Sequence, residues 1–182
     1  MKQCAVEHDI PVFQPINIKD DYQQVLDWNP DIIVTCAYGQ FVPSKVCDYP
    51  KHLAINVHAS LLPKYRGGAP IHKAIINGET KSGISIMRMV KKMDAGEVYA
   101  VKEVSIGEDD TTEILHDKLM VAGAELLIEM LPDYLAGKIE GSVQNEEEVS
   151  IAYNISKEEE LISFVKEDVH TAYNHIRGLI SW

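Results

Sequence analysis

Asn56, His58 and Asp94 have the residue types and the spacing that a site for proton transfer needs. Asn56 and His58 stand two positions apart at the end of the apolar run 53–57, so a strand there points both side chains to one face. A polar pair on such a face is costly unless it is hydrogen-bonded or borders a cleft. Taken singly, each residue has an ordinary structural explanation: a satisfied core histidine, a turn asparagine and a loop aspartate.

Together, these three groups could stabilise an oxygen that gains negative charge. An amide and a protonated imidazole can both donate hydrogen bonds to such an oxygen. A carboxylate beside the imidazole holds it in its charged form and can relay a proton through water. The residue types therefore point to acid-base chemistry without a metal or a covalent intermediate.

Apolar runs predict the strands that would carry these residues. The predicted strands are residues 10–13, 31–37, 53–57, 83–90 and 98–105. The second and third have the continuous apolar pattern of parallel strands that are covered on both faces. Clefts in open α/β sheets lie beyond the carboxyl ends of the strands, and Asn56 and His58 stand at such an end. The sequence therefore predicts an α/β fold with a cleft at this edge.

Helices are predicted at residues 18–28, 70–77, 110–137 and about 165–177. The long third helix is expected to begin with a capping box at Asp110 and Glu113 and to end at Gly137. Residues 142–156 are polar and are expected to form a connecting arm. We therefore predict a catalytic domain over residues 1–141, followed over 142–182 by an arm and a helix that lead out of it.

Composition excludes several classes of function. The net charge is −11, from 17 Lys and Arg against 28 Asp and Glu, so contact with a nucleic-acid backbone must be local. The acidic runs 146–148 and 158–160 are expected to be solvated. Three cysteines without metal-ligand spacing, together with no secretory or membrane-spanning segment, predict a cytoplasmic protein without membrane contact. A dinucleotide-binding fold is disfavoured because Gly-x-Gly-x-x-Gly is absent.

The stretch from Asn56 through His58 to Ser60-Leu-Leu-Pro63 closely resembles the motif of the 10-formyltetrahydrofolate-dependent formyltransferases, and residues 94–96 match their later Asp-x-Gly loop. The resemblance implies a Rossmann-like parallel-sheet domain. It also implies that Asn56, His58 and Asp94 are catalytic and that 10-formyltetrahydrofolate is the formyl donor, with no metal. In that family the amide and the protonated imidazole would stabilise the formyl oxygen while an amine attacks.

The resemblance also implies a folate pocket that binds largely through backbone groups. The residues expected to line it are Gln40, Phe41, Val42, Ser60, Leu61, Leu62, Pro63 and Met93. For Phe41 and Val42, plain packing in the core is an equal alternative.

Within the family, residues 64–71, 87–94, 116–119 and 175–179 look like the methionyl-tRNA formyltransferases. This implies initiator methionyl-tRNA as acceptor, and a monomer. The candidates for phosphate contact are Lys64, Arg66, Lys91 and Lys92, although exposed lysines are also ordinary surface residues. An amino sugar nucleotide or glycinamide ribonucleotide as acceptor, and a non-catalytic folate-binding module, remain as alternatives.

Compared with that family, the chain is expected to lack the first strand-helix units and the C-terminal barrel domain. A sheet without its early strands would leave a strand edge unpaired. We therefore expect the catalytic residues to be assignable by position while the isolated polypeptide has little activity.

Overall fold

Four strands form one mixed sheet in the computed structural model, which describes residues 1–162 and 168–180. They are β1 (Ile33–Cys36), β2 (Ala54–His58), β3 (Lys81–Arg88) and β4 (Val98–Ser105). The spatial order follows the chain, with β1 and β2 parallel and the other two pairs antiparallel. The expected α/β class is confirmed, and parallel pairing applies to β1 and β2.

Six α-helices accompany this sheet in the described residues. They are α1 (Lys2–Glu7), α2 (Gln23–Asp27), α3 (Ser44–Cys47), α4 (Pro70–Ile76), α5 (Thr112–Leu135) and α6 (Val169–Leu179). Proline in the first turn of α4 suits a position whose N–H has no partner within the helix. None of the described helices is long and apolar enough to cross a membrane.

The main core lies between the sheet and α5. Apolar residues recur along α5 at steps of three and four, which places them on one face: Leu115, Leu119, Ala122, Leu126 and Met130, all buried. They pack against the β3 residues Ile84 and Ile86 and against Ile55 of β2. Since neighbours along a strand alternate in direction, Asn56 and Met87 are directed to the other face of the sheet.

The arm, defined as residues 142–156, returns across the loop that follows β2. Ser142 pairs with Val98 of β4, and Ile151 pairs with Arg66. The Arg66 N–H donates to Ser150 O at 2.9 Å, and the Ala152 N–H donates to Arg66 O at 2.7 Å. The arm is therefore hydrogen-bonded to the strand-end loop, while the domain boundary at residue 141 stays a prediction.

Some predicted elements differ from the structure. Residues 10–13 form no strand and pair with no strand of the sheet. The helix expected at 18–28 is confined to α2, because residues 18–20 form a turn in which Asp20 N–H and Asp21 N–H both donate to Asn17 O. The cap of α5 is Thr111, whose hydroxyl accepts from Ile114 N–H, whereas Asp110 accepts from Gly107 N–H in the preceding turn. Helix α6 starts from an Asp168 cap, and residues 165–167 of the predicted helix lie outside the described residues.

Candidate active site

His58 and Asp94 meet at the carboxyl end of β2. His58 is 6% exposed, and its Nδ1 lies 3.8 Å from Asp94 Oδ2. Its Nε2 lies 2.9 Å from Tyr65 O. A carbonyl oxygen only accepts, so His58 Nε2 carries a proton and donates it there. A second proton on Nδ1 would make the contact with Asp94 an ion pair.

Asn56 presents its amide from the same strand end. Its Oδ1 accepts a hydrogen bond from Thr35 Oγ1 of β1 at 2.8 Å, across the parallel pairing of these two residues. Within the described part of the chain, Asn56 Nδ2 has no hydrogen-bond acceptor, and Asn56 lines a cleft. The amide can therefore donate from Nδ2 to a bound oxygen.

The turn that carries Asp94 depends on close backbone packing. Asp94 has a φ of 48°, and its Oδ2 accepts from Gly67 N–H at 2.9 Å. A Cβ on Gly96 would lie 1.9 Å from Arg88 O, so only glycine fits there. The Asp-x-Gly spacing thus has a steric cause, and the carboxylate is held between the turn and the strand-end loop.

A cleft of about 310 Å³ opens beside Asn56 and Asp94. The rest of its wall is formed by residues of two segments: Gln40, Phe41, Val42, Ser44, Cys47, Asp48, Met87, Arg88, Met89, Val90, Lys91 and Met93. Phe41 and Met93 are 66% and 54% exposed, so two large apolar side chains face solvent at the cleft. Such exposed apolar surface beside polar groups is typical of a ligand site.

Four of the predicted folate residues line this cleft: Gln40, Phe41, Val42 and Met93. The side-chain amide of Gln40 is already occupied, since its Oε1 accepts from Ile18 N–H and its Nε2 donates to Ile16 O. Val42 is buried in a small core cluster, as the alternative of plain core packing predicts.

Residues Ser60, Leu61, Leu62 and Pro63 do not line the cleft. Ser60 is buried and donates to Lys64 O, and Leu62 N–H donates to the Ser85 hydroxyl. Leu61 borders a second cavity on another side of the loop, with Lys64 and Tyr65. These residues fix the shape of the strand-end loop.

The candidates for phosphate contact fall into different environments. Arg66 is 1% exposed, and its guanidinium donates to Gln144 Oε1 and Glu146 Oε1. Its guanidinium is thus directed to the arm, and contact of Arg66 with a substrate phosphate stays a prediction. Lys91 lines the cleft, whereas Lys64 borders the second cavity and the Lys92 ammonium is bonded to Glu146.

Glu146 and Tyr65 show how this region is held electrostatically. Hydrogen bonds from Lys92 and Arg66 lower the pKa of Glu146 from its ordinary value, so this residue of the acidic run is an ion-pair partner. Burial, with Glu79 as acceptor for its hydroxyl, raises the pKa of Tyr65 to about 12. The ion pair of Glu146 with Arg66 and the hydrogen bond of Tyr65 with Glu79 both stabilise the loop that follows β2.

Sequence analysis missed two residues of this arrangement, Thr35 and Gln144. Thr35 stands in an apolar run, and only the register of β1 on β2 reveals its contact with Asn56. Gln144 stands in the polar arm, remote in sequence from Asp94, and its role depends on how the arm folds back. Each is a polar side chain whose partners come from residues distant in the sequence, so no local pattern reveals its role.

Fold and site together define a class: an α/β domain in which a strand-end amide and a histidine-paired carboxylate border a cleft. The chain belongs to the formyl transferase family, whose model, described as "Formyl transferase", matches residues 14–131. No group of three or more His, Cys, Asp or Glu residues within 1–162 and 168–180 is placed to hold a metal ion.

Relatives with established names match along the whole chain. Methionyl-tRNA formyltransferase of Bacillus thuringiensis subsp. konkukian (strain 97-27) is 54% identical over 184 residues, and that of Geobacillus sp. (strain WCH70) is 53% identical over 186 residues. Each match covers 100% of this chain. The chain spans 58% of the length of these curated relatives.

Solved structures share the fold at lower identity. A 4-N formyltransferase from Francisella tularensis has a TM-score of 0.80 and 24% identity, and the match covers 98% of this chain and 71% of that one. A sugar 3N-formyl transferase, WlaRD, solved in the presence of dTDP and 5-N-formyl-THF, has a TM-score of 0.77 and 19% identity, with coverage of 99% and 62%. At this identity the likeness establishes the fold.

Proposed function

We propose that this chain carries the centre for transfer of a formyl group from 10-formyltetrahydrofolate to the amino group of initiator methionyl-tRNA. The observation that carries the proposal is the joint placement of Asn56 and the Asp94 carboxylate at one cleft, with His58 behind the carboxylate. The 54% identity to a methionyl-tRNA formyltransferase over the whole chain supports the choice of acceptor.

The geometry assigns each group a part in this reaction. Asn56 Nδ2 donates to the formyl oxygen as the amine attacks and negative charge develops there. Asp94, beside His58, accepts a proton from the attacking amine, directly or through water. The bond from the formyl carbon to N10 of the donor then breaks, and N10 takes the proton back from Asp94 and leaves as tetrahydrofolate, so that Asp94 is again a carboxylate. Direct donation from His58 to the same oxygen stays a prediction, because it requires His58 Nε2 to leave Tyr65 O.

The formyl donor would occupy the cleft beside Phe41 and Met93. Their exposed apolar surfaces suit an aromatic ring system, and the adjacent segment 89–91 offers backbone groups to its polar edge. Lys91 lines the cleft and is available for a phosphate of the acceptor. Three free cysteines suit a reducing compartment, so we place the reaction in the cytoplasm.

An amino sugar nucleotide is the second candidate acceptor, because solved structures with this fold include sugar formyltransferases. The experiment is a single-turnover assay with the chain in excess over the acceptor, which detects transfer even where turnover is slow. Methionyl-tRNA and a dTDP-amino sugar are offered separately with 10-formyltetrahydrofolate. We expect formylation of methionyl-tRNA only, and its loss in Asp94→Asn. Formylation of the sugar alone, or of neither acceptor, would refute the proposal.

A further inference from the structure

Gln144 connects the arm to the turn that carries Asp94. It is 8% exposed, and its Nε2 donates to Asp94 O at 2.8 Å and to Gly96 O at 2.7 Å. Its Oε1 accepts from Arg66 Nε at 3.0 Å. The side-chain amide thus binds both carbonyl groups that flank Ala95, and every hydrogen-bonding atom of it is used.

The turn that carries Asp94 needs this support because it has few stabilising contacts of its own. Residues 89–97 lie between β3 and β4, and Asp94 has a left-handed backbone conformation that a non-glycine residue adopts at a cost. The Asp94 side chain is held by Gly67 N–H, while its main chain is held by Gln144. Together the two contacts hold the side chain and the main chain of Asp94, and so they fix the position of its carboxylate.

Arg66 fixes Gln144 in turn. Its buried guanidinium is bonded to Gln144 and Glu146, and its backbone pairs with the arm at Ser150 and Ala152. Removal of Gln144 would leave Arg66 Nε and two carbonyl oxygens of the turn without a partner. Buried polar groups are costly when unpaired, so the turn would move to find other donors.

We propose that Gln144 is a positioning residue for formyl transfer, which acts by fixing the Asp94 carboxylate next to His58 and the cleft. This inference rests on the proposed function. A displacement of about 1 Å at a reacting group can slow a reaction roughly 100-fold. The Gln144 amide does not line the cleft, but it can therefore affect the rate by fixing the position of Asp94.

Two substitutions separate positioning of the turn from simple support of the fold. Gln144→Met has a similar length and no donor. Gln144→Glu keeps an acceptor for Arg66 but turns a carboxylate toward two carbonyl oxygens. The matched control is Asn145→Ala, which removes an amide one residue later whose hydrogen bonds go to Glu147 and Glu148 within the arm.

The test combines the single-turnover rate of methionyl-tRNA formylation with amide hydrogen exchange of Gly67, whose N–H donates to Asp94. We expect both Gln144 variants to slow transfer roughly tenfold or more. We also expect Gly67 exchange to accelerate roughly tenfold while exchange in the centre of β3 is unchanged. Asn145→Ala should match the wild type in both measurements.

The exchange measurement keeps this inference separate from the proposed function. Absence of transfer by the wild-type chain would refute the function, whereas Gly67 exchange would still report on Gln144. Unchanged Gly67 exchange in both Gln144 variants would overturn the inference. An equal acceleration in Asn145→Ala, or a general acceleration across β3, would overturn it as well, because the effect would then belong to the arm or to the whole fold.

Discussion

At the scale of single residues, the site is defined by which hydrogen bonds are already made. Both ring nitrogens of His58 are directed to protein groups, Tyr65 O and Asp94. Asn56 differs, because Thr35 binds its Oδ1 and leaves Nδ2 for the cleft. The amide of Asn56 is therefore the donor that is prepared for a ligand oxygen before any ligand arrives.

Substitution of Asn56 should affect chemistry far more than folding. Asn56→Ala removes a donor aimed at developing charge, and loss of one such donor typically lowers the rate roughly 100-fold or more. We expect this loss in single-turnover formylation, with an unchanged circular dichroism spectrum. Asn17→Ala, at an exposed turn where Asn17 binds Asp20, is the control and should keep the wild-type rate. A rate for Asn56→Ala within threefold of the wild type (roughly 0.7 kcal/mol) would exclude Asn56 as the oxygen's donor.

At the scale of elements, local sequence predicted the parts whose pattern is repetitive. The two apolar runs that became β1 and β2, the later strands and the periodic face of α5 all follow from alternation or helical spacing. The strand-end placement of Asn56 and His58 follows from the same patterns. Their proximity to Asp94 was expected only from the family resemblance.

The predictions that differ from the structure share a physical cause: contacts that local sequence does not reveal determine these parts of the structure. Arg66 stood among the candidates for phosphate contact, yet the arm brings it to Glu146 and buries its guanidinium, while Glu146 is exposed as expected. The first strand, expected at 10–13, has apolar residues but no partner strand in the described sheet. Asp110 has the spacing of a helix cap, but its carboxylate accepts from Gly107 N–H instead.

The cap of α5 gives a prediction about stability. Thr111→Ala removes the hydroxyl that accepts from Ile114 N–H at 3.3 Å. Loss of such a cap costs about 1 kcal/mol, which lowers the melting temperature of a domain of this size by roughly 2–4 °C. Thermal unfolding followed by circular dichroism measures this change. Ser105→Ala, at the exposed end of β4, should leave the melting temperature unchanged; an equal loss in both variants would contradict the assignment of Thr111.

At the scale of the whole molecule, the net charge and the edge of the sheet bear on which contacts the chain can make. Its net charge of −11 opposes broad contact with a nucleic acid, so the proposed binding of methionyl-tRNA would depend on a few cations near the cleft, such as Lys91. In the described sheet, β1 pairs with β2 on one side and is otherwise an edge, with Val34 and Cys36 exposed. Little activity of the isolated chain stays a prediction.

Because Asn56 Nδ2 is free at the cleft, we expect the formyl donor to bind there with its formyl oxygen at Asn56. Titration of the ¹⁵N-labelled chain with 5-formyltetrahydrofolate tests this binding mode, with the side-chain amide of Asn56 followed by NMR and assigned with Asn56→Ala. We predict a shift of the Asn56 Nδ2 signal together with the backbone amides of Val90 and Lys91, and none at Asn145. Shifts confined to the second cavity, at Lys64, Tyr65 and Lys81, would show that the donor does not bind in the cleft. No shift at Asn56 upon saturation would show that Asn56 does not contact the donor.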